Sequence, residues 1–162
     1  EVKDVIEPVK QPNGMEKNVN YGKEVFKGVE LAATIFATDN LTFGANYTYT
    51  RAKNKMNTSY IIRNIPKHKF FAYVDWKVVP NLSLYVSQEA EQGRYSTDGI
   101  GKKSELVKLS GFGVTNAKVI YYVTKHFSVE AGVSNLFDKN YYYHAGYPEE
   151  GRVYFSNLKY SF

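Results

Sequence analysis

Leu41-Thr42-Phe43-Gly44-Ala45-Asn46-Tyr47-Thr48-Tyr49-Thr50 decides the fold class. Leu41, Phe43, Ala45, Tyr47 and Tyr49 alternate with Thr42, Gly44, Asn46, Thr48 and Thr50. Successive side chains of a strand point to opposite faces, so this order makes one apolar and one polar face. The same period runs through Val29, Leu31, Ala33 and Ile35, through Leu82, Leu84 and Val86, and through Phe127, Val129, Ala131 and Val133. It also runs through His68, Phe70, Ala72, Val74, Trp76 and Val78. No segment carries a sustained helical stripe.

Outward from that stretch, the pattern predicts eight strands near residues 2–7, 22–37, 41–53, 64–78, 82–94, 109–123, 127–140 and 152–162. Turn-like links at Thr38-Asp39-Asn40, Val79-Pro80-Asn81 and Thr124-Lys125-His126 alternate with long polar links near 8–20, 53–63, 95–108 and 144–151. Several strands exceed the five or six residues usual in globular domains. Their length suits a tilted membrane strand that continues beyond the lipid.

The 162 residues suffice for one domain. Cysteine is absent, which excludes disulfides, thiolate metal sites and thiol nucleophiles. Lys and Arg number 21 against 16 acidic residues, but they are dispersed, with only Lys102-Lys103 adjacent in the middle of the chain. Nucleic-acid binding would need a basic stripe, so no nucleic-acid partner is expected. Tyr is abundant at 15 residues, and aromatics reach 16%. The mean hydropathy of −0.43 is that of a soluble chain, yet a transmembrane barrel shows lipid only every second residue and averages the same way. The chain opens on Glu1-Val2-Lys3 without an initiator Met or signal peptide, which reads as a mature product or a piece of something longer.

Alternation fits both a soluble sandwich and a membrane barrel. Three features favour the barrel. The polar faces carry Gly, Ser, Thr, Asn and isolated Glu, as a wet lumen allows. Tyr47, Tyr49, Trp76, Tyr121 and Tyr160 sit near strand ends, where an interfacial aromatic girdle lies. Links are short on one side and long on the other. On this reading Thr42, Asn46, Glu30 and Glu130 face the lumen, while Leu41, Phe43, Ala45, Tyr47, Val129, Ala131, Leu158 and Tyr160 face lipid. The fold expected is all-β: an antiparallel, up-and-down transmembrane β-barrel segment of about eight strands, with short periplasmic turns and long extracellular loops.

The last strand adds Tyr154, Leu158, Tyr160 and Phe162 in one alternating row, with Ser156 as its weak member. An aromatic terminus on such a strand resembles the assembly signal of bacterial outer-membrane barrels. Further residues resemble the C-terminal part of a TonB-dependent outer-membrane receptor. They are Val133-Ser134-Asn135-Leu136-Phe137-Asp138-Lys139-Asn140-Tyr141, Gly146-Tyr147-Pro148, Gly151-Arg152 and Leu158-Lys159-Tyr160-Ser161-Phe162. Asn20-Tyr21-Gly22, Phe26-Lys27-Gly28-Val29-Glu30-Leu31, Asn46-Tyr47-Thr48-Tyr49 and Ile65-Pro66-Lys67-His68-Lys69 add to it.

The resemblance implies that residues 1–162 are one portion of a barrel of about twenty-two strands, with the plug domain and earlier strands outside this sequence. It implies a bacterial outer-membrane location and import of a ferric siderophore or similar iron chelate, with haem or cobalamin as alternatives. Expected partners are outer-membrane lipid, the barrel-assembly machinery, TonB through an N-terminal region, and the ferric chelate. A self-contained eight-stranded structural or adhesive barrel is the competing reading.

No enzyme signature is present. His68, His126 and His144 form no paired motif, no Gly-x-Ser-x-Gly occurs, and Gly99-Ile100-Gly101 lacks the third glycine of a dinucleotide site. Neither a metal site nor a cofactor is expected. The ligand-binding candidates are loop residues: Tyr143, His144 and Tyr147 in the last long loop, and Arg94 and Tyr95 in the loop before. Stacking rings beside a cation suit an anionic aromatic iron chelate.

Overall fold

A computed structural model describes residues 2–97 and 106–162. The strands are β1 (Val2–Lys10), β2 (Glu16–Thr38), β3 (Leu41–Asn54), β4 (His68–Val79), β5 (Leu82–Glu91), β6 (Tyr95–Thr97), β7 (Leu106–Lys108), β8 (Phe112–Tyr122), β9 (Phe127–Ser134), β10 (Tyr142–His144), β11 (Tyr147–Pro148) and β12 (Val153–Tyr160). No helix occurs among the described residues. Gly99-Ile100-Gly101 and Lys102-Lys103 lie outside them.

Eight strands form one antiparallel sheet in the order β1-β2-β3-β4-β5-β8-β9-β12, with β1 and β12 as its edges. The sheet is therefore open. Its register joins the apolar positions into continuous rows. One row runs Ile35, Phe43, Val74, Val86, Ala117, Val133, Tyr154. The adjacent polar-face row runs Phe36, Thr42, Asp75, Tyr85, Lys118, Gly132, Phe155. A slip of one residue anywhere would mix the two faces.

Among the described residues no second layer covers the apolar face. Leu31 is 61% exposed and Leu158 73%. Among the described residues the buried hydrophobics are only Phe112, Val114 and Ala145. A sandwich would bury the apolar face against another sheet, whereas a membrane wall leaves it to lipid. Aromatic bands border this face. Trp76, Tyr121 and Tyr160 stand at the short-turn end, and Tyr47, Tyr49, Phe70 and His68 at the long-loop end. The Tyr47 hydroxyl and His68 Nδ1 share a 2.6 Å hydrogen bond. Trp76 and Phe70 are separated along β4 by roughly 20 Å at the strand rise of 3.4 Å per residue, which approaches the height of an outer-membrane apolar band.

The lumen face is hydrogen-bonded and ion-paired. Lys118 Nζ lies 3.0 Å from Glu130 Oε2 and 5.7 Å from the Tyr85 ring centre. Asn157 Nδ2 donates to Glu130 Oε1 at 3.2 Å. Tyr85 stacks on Tyr73, and the Tyr73 ring lies so close over Gly44 that a Cβ there would collide with it.

Four details differ from the sequence reading. The link placed at residues 8–20 is a tight hairpin, because Gly14 takes φ +83° and lets Lys10 pair with Glu16. The fourth strand starts at His68 rather than 64, since Asn64 takes φ +61° and Pro66 follows. β9 stops at Ser134 instead of running to 140, because Asn135 turns to φ +51°. The last two long links carry the small hairpins β6–β7 and β10–β11.

Candidate functional site

β4, β5 and β8 end side by side at the long-loop end of the polar face. Register sets Lys69 opposite Glu91, Glu91 opposite Phe112, and Glu89 opposite Val114. Side chains two apart on β5 share a face, so Glu89 and Glu91 both reach the rim. Lys69 Nζ spans them, 3.0 Å from Glu91 Oε1 and 3.5 Å from Glu89 Oε1.

Arg94 and Tyr143 close the cluster from two different loops. The Arg94 guanidinium pairs with Glu91 and lies 5.1 Å from the centre of the Tyr143 ring. The Tyr143 hydroxyl donates to Glu89 Oε1 at 3.1 Å. Phe112 packs between Tyr141 and Tyr143, with ring centres at 4.5 and 5.3 Å. Burial, reinforced by the Glu89 carboxylate, raises the Tyr143 phenol well above its usual value. It therefore remains a neutral donor to Glu89 at physiological pH. Burial lowers the Arg94 guanidinium, opposed by Tyr143 and Glu89. It starts from so high a value that it stays charged.

A second tie joins the same loops. The Ala145 backbone N–H donates to Ser96 Oγ at 3.2 Å, with both residues buried. The Asn64 N–H donates to the Tyr95 carbonyl at 2.8 Å, which binds in the loop before β4. Of the five sequence candidates, the structure thus brings Arg94 and Tyr143 together and turns them inward. The Arg94 side chain is only 9% exposed. Tyr95, His144 and Tyr147 remain exposed around the Ser96–Ala145 tie. Among the described residues no group of three or more His, Asp or Glu side chains could hold a metal ion. Lys69, Glu91, Ser96 and Phe112 escaped sequence reasoning. The same-face spacing of Glu89 and Glu91 was the available signal.

The Asn135-Leu136-Phe137-Asp138 turn holds the base of the last loop. Asn135 Oδ1 accepts from the Lys139 N–H at 2.7 Å, and Nδ2 donates to the carbonyls of Lys139 and Glu150 at 2.9 and 3.2 Å. Asp138 Oδ1 accepts from the Arg152 N–H at 2.8 Å.

A family model described as TonB dependent receptor-like, beta-barrel, matches residues 1–136. The chain belongs to the TonB-dependent receptor family, within its β-barrel. Receptors of this family are outer-membrane transporters rather than enzymes. Solved structures agree on the fold. The ferric enterobactin receptor PfeA of Pseudomonas aeruginosa, in complex with enterobactin, matches with a TM-score of 0.78 at 24% identity, over 99% of this chain and 28% of that one. The ferric-catecholate import receptor Fiu of E. coli matches at 0.75 and 21%, over 99% and 24%. The copper transporter OprC matches at 0.79 and 23%, over 99% and 27%. The chain thus spans about a quarter of the length of these receptors.

Proposed function

We propose that residues 1–162 form the C-terminal portion of the barrel of a bacterial outer-membrane receptor that imports a ferric siderophore or similar iron chelate. The carrying observation is the rim where two long loops are tied together by Arg94, Tyr143, Ser96 and Ala145. Around that tie, Tyr95, His144 and Tyr147 stand exposed. In this reading they contact the ligand, and Arg94 and Tyr143 hold them in place. Aromatic faces suit the rings of a catecholate, and ferric enterobactin and ferric catecholates are the ligands of two of the matching receptors. The plug, the remaining strands and the TonB-contacting region belong to the rest of the parent receptor. The open edges at β1 and β12 support that arrangement.

Replacing Tyr95, His144 and Tyr147 together with Ala in the full receptor is expected to weaken ferric-catecholate binding by about tenfold or more, since each aromatic contact contributes on the order of 1 kcal/mol. Titration of purified receptor by fluorescence quenching measures it, and an unchanged affinity rejects the assignment. Growth of a parent-gene deletion strain on single iron sources tests the import itself. Normal growth on every ferric chelate, haem and cobalamin source would leave the structural-barrel reading.

The row Tyr154, Leu158, Tyr160 and Phe162 serves, in the same proposal, as the signal read by the barrel-assembly machinery. Tyr154 is 74% exposed and Tyr160 62%, both on the outward face of an edge strand. Deleting Phe162, or changing Tyr160→Asp, should lower the amount of receptor in the outer membrane while the assembled fraction binds ligand normally. Wild-type membrane levels of both variants refute this role.

A further inference from the structure

β2 and β3 continue past the outer aromatic band, and there the outward face changes character. Val29 pairs with Tyr49 at the band, then Lys27 with Arg51, then Val25 with Lys53. Lys55 extends the row, its N–H donating to the Lys23 carbonyl at 2.8 Å. Val25, Lys27, Arg51, Lys53 and Lys55 line one shallow groove of about 240 Å³. Lys67 adds a cation 5.8 Å above the Tyr49 ring at its lower margin.

Between Val29 and Val25 on β2, and between Tyr49 and Lys55 on β3, the outward positions carry no carboxylate. Glu24 and Asn54, which pair with each other, belong to the opposite face. Among the described residues, Lys27, Arg51, Lys53 and Lys55 make no ion pair, and all four are exposed. A solvated strand extension would normally mix charge signs. This one presents cations alone, on the same face as the lipid-facing rows below. At the strand rise of 3.4 Å per residue and a tilt of about 45°, they stand roughly 5–14 Å above Tyr49, in the headgroup region and just outside it.

We propose that this groove binds a phosphorylated, multiply acylated lipid of the outer leaflet, of the lipopolysaccharide class. Lys27, Arg51, Lys53 and Lys55 receive the phosphates, with Arg51 able to take one as a bidentate pair. The acyl chains descend over Val29, Leu31 and Tyr47, which continue the groove into the apolar face. The aliphatic stems of the lysines lie along that apolar surface while their ammonium groups meet the anion. The occupant is a lipid rather than a soluble anion because the cations border an apolar face that needs covering. The inference rests on the outer-membrane placement proposed above and concerns a surface separate from the ligand rim.

The test uses the full-length receptor containing this chain, purified in detergent and delipidated. Its binding of bisphosphorylated lipopolysaccharide is compared with binding of the same lipid after phosphate removal, and with competition by millimolar inorganic phosphate. The variant Lys27→Gln/Arg51→Gln/Lys53→Gln/Lys55→Gln is expected to bind roughly tenfold weaker or worse. The dephosphorylated lipid should show a similar loss on the wild type, and inorganic phosphate should not displace the lipid. Lys77→Gln/Lys125→Gln, at the opposite end of the sheet, should bind as wild type. Equal binding by the fourfold variant, equal binding of dephosphorylated lipid, or an equal loss in the control overturns the proposal. Displacement by inorganic phosphate also overturns it, by making the groove a soluble-anion site. Should the fourfold variant not assemble, Lys53→Gln/Lys55→Gln is compared with Lys53→Arg/Lys55→Arg. A loss of about threefold or more in the first alone supports the proposal, and equal binding overturns it. A receptor recovered in the outer membrane but indifferent to the lipid refutes this inference and leaves the transport reading intact.

Discussion

Ala131→Arg should cost the assembled receptor about 2–4 kcal/mol of stability, the cost of an Arg facing lipid near the bilayer midplane. Ala131 lies midway along β9, where it pairs with Val119 and Ser156 on the exposed apolar face. A guanidinium placed there must shed its hydration or drag water and headgroups inward. Asn46→Arg is the matched control. Asn46 belongs to the opposite face of β3, between Ala32 and Phe71, where water can solvate the new charge. Urea unfolding in lipid vesicles should therefore show a large loss for Ala131→Arg and a much smaller one for Asn46→Arg. Equal losses would mean that the two faces have been assigned the wrong surroundings.

Asn135→Ala should be nearly as damaging, by a different route. Asn135 is 3% exposed and makes three side-chain hydrogen bonds, which tie Lys139 and Glu150 to the end of β9. Each contributes on the order of 1 kcal/mol, so about 3 kcal/mol is expected to be lost. Asn135 also holds φ +51°, a conformation that Asn tolerates better than Ala. The damage should concentrate in the loop that carries Tyr141, Tyr143, His144 and Tyr147. Limited proteolysis should cut between residues 139 and 150 in the variant at protease levels that leave the wild type whole. Asn135→Asp keeps the acceptor for the Lys139 N–H but sets a carboxylate oxygen against the Lys139 and Glu150 carbonyls, so it should be cut at least as readily as Asn135→Ala. A digestion pattern unchanged in Asn135→Ala would reject the structural role given to this turn.

The sequence by itself determined the strands, their antiparallel order and their two faces. The reason is local: the period of a strand is two, so Leu41 to Thr50 sorts its own side chains before any partner is present. Each short turn then forces the next strand to pair with the last, and matching apolar rows leave one register. Where this local logic was weak, the boundaries moved. Residues 16–21 mix Lys, Asn, Val and Tyr without clean alternation, and the extension of β2 across them comes from pairing with β1. Residues 135–140 follow a strong strand, and only the Asn135 side chain bonding back onto the chain ends it.

The rim was legible as residue types and not as an arrangement. Tyr143 and Arg94 drew attention as an aromatic and a cation in long loops, but the Tyr143 partners Glu89 and Phe112 come from two different strands, β5 and β8. No periodicity links positions so far apart in the chain. Only the tertiary structure decided that Arg94 and Tyr143 spend their interactions on each other and on Glu91 and Glu89, leaving Tyr95, His144 and Tyr147 exposed. The basic groove shows the same division. Arg51, Lys53 and Lys55 already share one strand face by their spacing of two, but only the β2–β3 register brings Lys27 and Val25 beside them. Strand identity is set by neighbours in sequence. Charge clusters and loop ties are set by neighbours across the sheet, which exist only once the register has formed.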